Sequence, residues 1–487
     1  MWPLAGTFIN REVDLASLEE WWQEGPGQPL AMLGRRRVGK SWLFRRFAHQ
    51  KPALVLVAEQ VPAGSLLARF AQSLAPILGV RPDLPDVPTL FSVLYRAART
   101  DRLLVAVDEF PWLLGSLEGE ANRILSAILA TMEREASTSQ LKLLLCGSQL
   151  SQMEALFGER NPMHGRLRRM EVRPLGYSGA RPFISAPDPV RAFEHYAVAG
   201  GMPLYLSRLG SGSLEGVICK QVLDRNGPLW NEGRAVLDQE LREPRVYFGI
   251  LEQLAGGDKE LNEIAQPLRM DGSNLTRYLS QLTELSLVSR HVPLGAAAGS
   301  RSGHWRLEDP FLRFWFRFVF PYQSDLETGL SPTDLYRSEV APALPHHVAP
   351  VFEDWCRRWL RASRGDVAAR VGAWWGPAAN QFRRSKERTS EEIDAIGTSG
   401  TGRRVTVLSE MKWTNRPMPV AVLDDLERFK IPALTDAGFR VADDRQIVLF
   451  SKSGYAPALV TRSEADPRIV LVDVREELDR GTESPRA

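Results

Sequence analysis

The eight residues Gly34-Arg35-Arg36-Arg37-Val38-Gly39-Lys40-Ser41 constrain this chain more than any other stretch. They follow an apolar run, Leu30 to Leu33, that reads as a buried strand. A helical pattern with Trp42, Leu43, Phe44 and Phe47 comes after them. In the spacing G-x-x-x-x-G-K-[ST] the glycines let backbone N–H groups converge on an anion, and the helix N-terminus adds a favourable dipole. The lysine carries charge to the outer phosphates, and the hydroxyl can ligate magnesium. The pattern predicts a nucleotide site built from Gly34, Arg37, Val38, Gly39, Lys40, Ser41 and Trp42 rather than a plain glycine turn.

Downstream, the apolar run Leu103 to Val107 delivers Asp108 and Glu109. A buried parallel strand that presents acids at its C-terminal end matches where open α/β sheets hold ligands. Asp108 is expected to hold magnesium through water, and Glu109 to polarise the attacking water. A further apolar strand, Leu141 to Cys146, ends in Gly147-Ser148-Gln149, where Ser148 can sense a terminal phosphate or simply lead into a turn. His164-Gly165-Arg166 precedes the strand-like run Leu167 to Val172. Arg166 reads either as an arginine finger or as a solvated arginine, since Arg168 and Arg169 lie beside it.

At 487 residues the chain exceeds one hydrophobic core, which implies two to four domains. Its 61 basic and 59 acidic side chains leave a net charge of +2, so overall charge selects no partner class. Cys146, Cys219 and Cys356 follow no metal-ligand spacing and offer no disulfide framework, which fits a reducing, cytoplasmic setting. No stretch reaches the roughly 18 uninterrupted apolar residues of a membrane helix, and no membrane partner is expected.

Beyond residue 179 the text turns helical. Segments Val246–Leu254, Leu261–Leu268 and Ser273–Leu287, followed by strand-like Leu287–Val292 and His304–Leu307, have the order of a winged helix. Its third helix would present Ser273, Asn274, Arg277 and Gln281 to a DNA groove, or serve domain docking, because the stretch has little excess positive charge. Prolines between residues 321 and 347 suggest a linker. A second constellation follows it. Glu410 and Lys412, two apart on a strand, share one face, and Asp394 from a neighbouring strand can join them. Two carboxylates and a lysine suit metal-assisted phosphodiester hydrolysis, with Asp394 and Glu410 as metal ligands; the plain alternative is a salt-bridged edge strand. A basic loop, residues 381–388, offers phosphate contacts or mere solvated charge, and the tail from Arg475 is expected to fray.

Six motifs in order, namely Phe8 to Leu15, the phosphate loop, Val107 to Phe110, Cys146 to Ser148, His164 to Arg166 and Gly200 to Leu206, resemble the archaeal-type ATPases. These are STAND-class P-loop ATPases, relatives of AAA+ proteins. The resemblance implies an extra strand between the phosphate-loop and acidic strands, a helical lid, Arg11 near the nucleotide and Pro203 against adenine. The C-terminal region resembles the PD-(D/E)XK restriction-endonuclease-like fold. Asp394, Glu410 and Lys412 match that motif, and Glu353 matches the acid of the preceding helix. The expected fold is therefore α/β: a P-loop ATPase core (1–178), a helical lid (179–243), a winged helix (244–320), a linker (321–347) and a nuclease-like domain (348–475). The implied ligands are ATP or ADP and Mg2+, with DNA or another nucleic acid and a nucleotide-dependent homo-oligomer as expected partners. The expected function couples ATP binding and hydrolysis to a nuclease-like domain. The alternative is a nucleotide-gated scaffold whose nuclease-like fold only binds a partner.

Overall fold

A computed structural model of the protein describes residues 9–25, 27–115, 121–241, 244–297, 299–300, 302–400 and 402–481. Phe8, the start of the first motif, and Glu243, the end of the expected lid, lie outside the described residues. The chain divides into two compact units. One runs to Pro174 and includes Met202–Leu204, and the other comprises Leu175–Gly201 and the residues from Tyr205 onward.

The first unit is built on a five-stranded parallel sheet. Strands β1 (Leu30–Leu33), β2 (Ala53–Val57), β3 (Leu103–Asp108), β4 (Leu141–Cys146) and β5 (Arg168–Glu171) lie in the order β2-β3-β4-β1-β5. Every residue of β1, β3 and β4 is buried, as expected for strands covered by helices on both faces. β4 separates the phosphate-loop strand from the acidic strand, so both end at the same edge of the sheet. This is the α/β architecture of P-loop proteins.

The second unit contains helices, a small ribbon and a mixed sheet. Helices Pro244–Ala255, Leu261–Leu268 and Gly272–Glu284 lead into the antiparallel pair β6 (Val288–His291) and β7 (His304–Leu307). Lys259 adds a bridge to Trp305, which completes a winged-helix arrangement. The separate five-stranded sheet comprises β8 (Arg370–Pro377), β9 (Ser390–Thr398), β10 (Arg404–Lys412), β11 (Arg440–Ser451) and β12 (Ile469–Asp473), in the order β12-β11-β10-β9-β8. β9 runs antiparallel to β8 and β10, while β10, β11 and β12 are parallel.

Two expectations need correction. Residues 321–347 are not an open linker: short helices lead into the long helix Ala341–Ser363, which contains Pro345 and Pro350. The helix survives its prolines because Val348, Val351, Phe352, Trp355 and Trp359 bury one face, and tertiary packing outweighs local propensity. The chain from Arg475 does not fray at once, since Val474–Arg480 is helical with Leu478 buried.

Helix Glu232–Glu240 packs Gly233 flush against the fully buried Trp315 ring, whose Nε1 donates to Trp230 O at 2.8 Å. A Cβ at Gly233 would fall inside the indole. Gly233→Ala is therefore expected to destabilise the second unit by about 1–3 kcal/mol, read as an earlier thermal transition. Gly64→Ala, which meets open space in helix Ala63–Leu78, should leave the melt unchanged or slightly raised.

Candidate nucleotide and acidic sites

The phosphate loop leaves β1 through Gly34, whose φ of 152° and close approach to Val172 O exclude a side chain. Arg37 and Gly39 also take positive φ, and the helix Lys40–Ala48 begins directly after Gly39. Lys40 is buried and folds back on its own loop, donating to Gly34 O at 2.6 Å and Arg35 O at 3.1 Å. The loop carbonyls thus hold the ammonium against the loop itself. Ser41 Oγ donates to Asp108 Oδ2 at 2.9 Å, which ties the start of the helix to the end of β3.

Burial raises the Asp108 pKa; the Ser41 hydrogen bond opposes this and the Glu109 charge adds to it. Beside it, Glu109 adopts a left-handed backbone and accepts from Ser148 twice, from N at 3.1 Å and from Oγ at 2.8 Å. Asp108, Glu109 and Ser148 therefore meet across the ends of β3 and β4. Arg11 donates to Val38 O at 2.8 Å and to Arg173 O at 2.7 Å, bracing the loop from its flank. Burial lowers its pKa, against the opposing pull of Asp14. Pro203 Cγ lies 3.6 Å from where a Gly39 Cβ would stand, and Trp42 is half-exposed in the first helical turn.

Arg166 does not join them. Leu30 pairs with Arg168, and Gln28 Nε2 donates to Gly165 O, so Arg166 sits at the opposite, N-terminal edge of the sheet. Six residues of extended chain, roughly 20 Å, separate that level from Gly34. Arg166 pairs there with Glu133 at 2.9 Å. Its finger reading within the same chain fails on strand direction.

In the second unit the ladder between β9 and β10 stops at Ser409 opposite Ala395. At the next step Asp394 Oδ2 accepts from Met411 N at 2.7 Å, taking over where the ladder ends. Lys412 Nζ reaches Asp394 Oδ2 at 3.1 Å and Glu410 Oε2 at 3.2 Å. Burial would lower the Lys412 pKa, but Asp394 and Glu410 raise it on balance. Glu410 is 1% exposed, and Lys430, which the sequence pattern does not single out, donates to its Oε1 at 2.7 Å. Burial and Asp394 push Glu410 up to about 6, against Lys412 and Lys430. Among the described residues, no group of three or more His, Cys, Asp or Glu side chains converges to hold a metal.

Glu353 lies close enough to feel Asp394 and is 3.5 Å from Arg357, so it borders the site although it stands off the apolar stripe of its helix. Arg357 donates to Asp394 O at 2.8 Å and to Asp354 Oδ1 at 2.7 Å. Arg306 on β7 pairs with Asp354 at 3.2 Å and with Asp258 at 2.7 Å, so a line of charges joins the winged helix to the acidic strand. Burial would raise the Asp354 pKa, yet Arg306 and Arg357 bring it well below the usual carboxylate range. The wing also touches β8 directly, since Leu294 N donates to Ala373 O at 2.8 Å and the His304 ring stacks on Trp375. Ser273, Asn274, Arg277 and Gln281 are exposed on their helix. Arg383, Arg384 and Lys386 of the basic loop are exposed, whereas Arg388 pairs with Glu391 and Asp425.

Burial and the nearby Asp394 push Glu353 from 4.5 up to about 7. A carboxyl raised in the folded state binds more protons there, so its contribution is full below about pH 4.5 and declines as pH rises toward 7. Glu353→Gln should flatten that decline in urea unfolding measured across the window. Parallel profiles for the two proteins would contradict the assignment.

Residues 315–425, which include Glu353, Asp394, Glu410 and Lys412, match the DUF234 family, described as archaea bacterial proteins of unknown function. The chain is 25% identical over 413 residues to an uncharacterized protein of Methanocaldococcus jannaschii, covering 83% of this chain and 87% of that protein. An uncharacterized ATP-binding protein of the same organism is 41% identical over 44 residues, 9% of this chain and 75% of that protein. Among solved structures, the Walker-type ATPase of Pyrococcus abyssi is similar with a TM-score of 0.47 at 20% identity, covering 64% of this chain and 96% of that one. Among the described residues no helix is long and apolar enough to cross a membrane.

Proposed function

We propose that the first unit binds and hydrolyses ATP with magnesium, and that the second unit uses its acidic site on the phosphodiester backbone of a nucleic acid under control of nucleotide state. The observation that carries the ATPase reading is the meeting of Ser41, Asp108, Glu109 and Ser148 at the strand ends beside Lys40. Similarity to an ATP-binding protein supports it. Ser41 Oγ and Asp108 are hard oxygen donors of the kind that magnesium takes beside phosphates, and they would hold the ion. Bound there, the ion would neutralise charge on the phosphates.

The chain's own groups do the rest. Lys40 leaves the loop carbonyls for the outer phosphates, while the loop N–H groups orient them. Glu109 accepts from the attacking water, and Ser148 holds Glu109 in position until substrate arrives. Arg11 keeps the Val38 peptide fixed against the pull of the ligand. Pro203 and Trp42 offer apolar surface at the adenine end.

At the acidic site, Asp394 and Glu410 would hold a divalent ion, which would polarise the scissile phosphate. Lys412 stabilises charge developing on the phosphorane, and Glu353 stands beside the pair as the acid of the preceding helix. The exposed Arg383, Arg384 and Lys386 suit a nucleic-acid backbone. One observation favours the scaffold reading instead: the lysines already occupy oxygens of Asp394 and Glu410, as a purely structural ion-pair network would.

Lys40→Ala should abolish ATP binding in equilibrium titration. Glu109→Gln should retain binding and slow hydrolysis by about 10²-fold or more. Metal-dependent cleavage of plasmid or single-stranded DNA should disappear in Asp394→Ala and Lys412→Ala while ATPase activity stays. Full cleavage by Asp394→Ala would remove that site from the reading, and no cleavage by any form would favour the scaffold.

A further inference from the structure

The acidic site contains a cation that the pattern of acids and a strand lysine does not require. Lys430 closes the π-helical turn Leu426–Lys430, and its Nζ donates to Glu410 Oε1 at 2.7 Å, with little exposure of either side chain. Lys412 takes Glu410 Oε2, and Asp394 Oδ2 is shared by Lys412 and the Met411 N–H. Three of the four carboxylate oxygens of the acidic pair are therefore engaged by positive or N–H groups. Two ammonium ions balance two carboxylates, so the pair is neutral without any metal.

We propose that Lys430 is an internal stand-in for the divalent cation: its ammonium occupies the Glu410 position that the metal needs and must swing away for the metal to enter. The inference rests on the metal-dependent reading of the acidic site given above. The two lysines differ in tether. Lys412 stands two residues from Glu410 on the same strand and bridges both acids, so its head is fixed by the pleat. Lys430 comes from a separate helical element, makes its contact with Glu410 alone within the acid pair, and carries its charge on a long, flexible, unbranched stem. An ammonium so close to one carboxylate oxygen competes for the lone pairs that a hard cation takes, and its charge repels an entering ion.

The arrangement has a physical rationale. Glu410 is buried, and a lone buried carboxylate is costly. Lys430 keeps it charged and ordered while the metal is away. Its turn also supports the basic loop: Phe429 packs on Phe382, and the Arg388 guanidinium lies 4.0 Å from the Phe429 ring centroid. Phosphate drawn to that loop would lie beside the element that must release Lys430, giving the head an anionic alternative to Glu410.

The test is Mn2+ binding by calorimetry on the full chain without nucleotide, counting only the signal that Asp394→Asn removes. Lys430→Met should bind Mn2+ about tenfold more tightly than the natural protein, because competition and repulsion are both removed. Lys430→Gln, which keeps a hydrogen-bond donor for Glu410, should shift affinity in the same direction and guards against a folding defect in the first variant. Thermal melts give a second readout: Lys430→Met should melt lower than the natural protein without metal and recover more with Mn2+. Equal or weaker binding by both variants, or a lowered melt that Mn2+ does not restore, would overturn the inference and leave Lys430 as a structural ion pair. Binding by the natural protein with no gain in the variants would defeat this inference alone. No Asp394-dependent binding in any form would defeat the metal-dependent reading as well.

Discussion

A charged group delivered by a buried strand must find a partner or surrender its charge, and both candidate sites are solutions to that constraint. In the first unit β3 is sealed on both faces, so Asp108 emerges from an apolar run with little access to water. Ser41 supplies its hydrogen bond, and Ser148 supplies two to Glu109. In the second unit Glu410 is itself more deeply buried than Asp108, and two lysines answer it. The partners are hydroxyls, backbone N–H groups and ammonium groups, each of which holds an acid by a single donated hydrogen.

The same constraint reaches outward from the acidic site. Arg306 is almost wholly buried between Asp258 and Asp354, and Arg357 links Asp354 to the backbone of Asp394. Asp258 and Asp354 keep part of their surface in water, so the series links the elements by charge pairing rather than by a fully buried ion pair. The winged helix and the mixed sheet are thus held by more than apolar contact. The chain of pairs runs from Asp258 through Arg306, Asp354 and Arg357 to the Asp394 carbonyl, so the wing and the acidic strand share one charge network.

Much of the first unit was legible from the chain alone. β1 and β4 fall on the apolar runs that bound them, because fully buried strands are short, apolar and end abruptly in glycine or acid. The phosphate loop was legible because its glycines and lysine answer a single geometric demand. Arg166 misled because a sequence shows neighbours along the chain and not which edge of a sheet they reach; the register of β5 on β1 decides that. The helix through Pro345 and Pro350 was hidden by local propensity, which packing of Phe352, Trp355 and Trp359 overrides. Glu410 and Lys412 were legible from strand alternation and Asp394 from its place on a neighbouring strand, whereas Lys430 and the Arg306–Asp354 pair were not. Lys430 lies 20 residues from Glu410, and Arg306 lies 48 from Asp354, beyond the reach of any periodic signal.

If one chain couples a nucleotide switch to a metal-dependent acidic site, nucleotide state must show in cleavage. Plasmid nicking by the full chain in Mn2+, measured without nucleotide, with ATP and with a non-hydrolysable ATP analogue, reads that coupling. Mn2+-dependent nicking whose rate changes severalfold between nucleotide states is expected. Nicking at one rate in all three conditions, or none in any, would contradict the coupling.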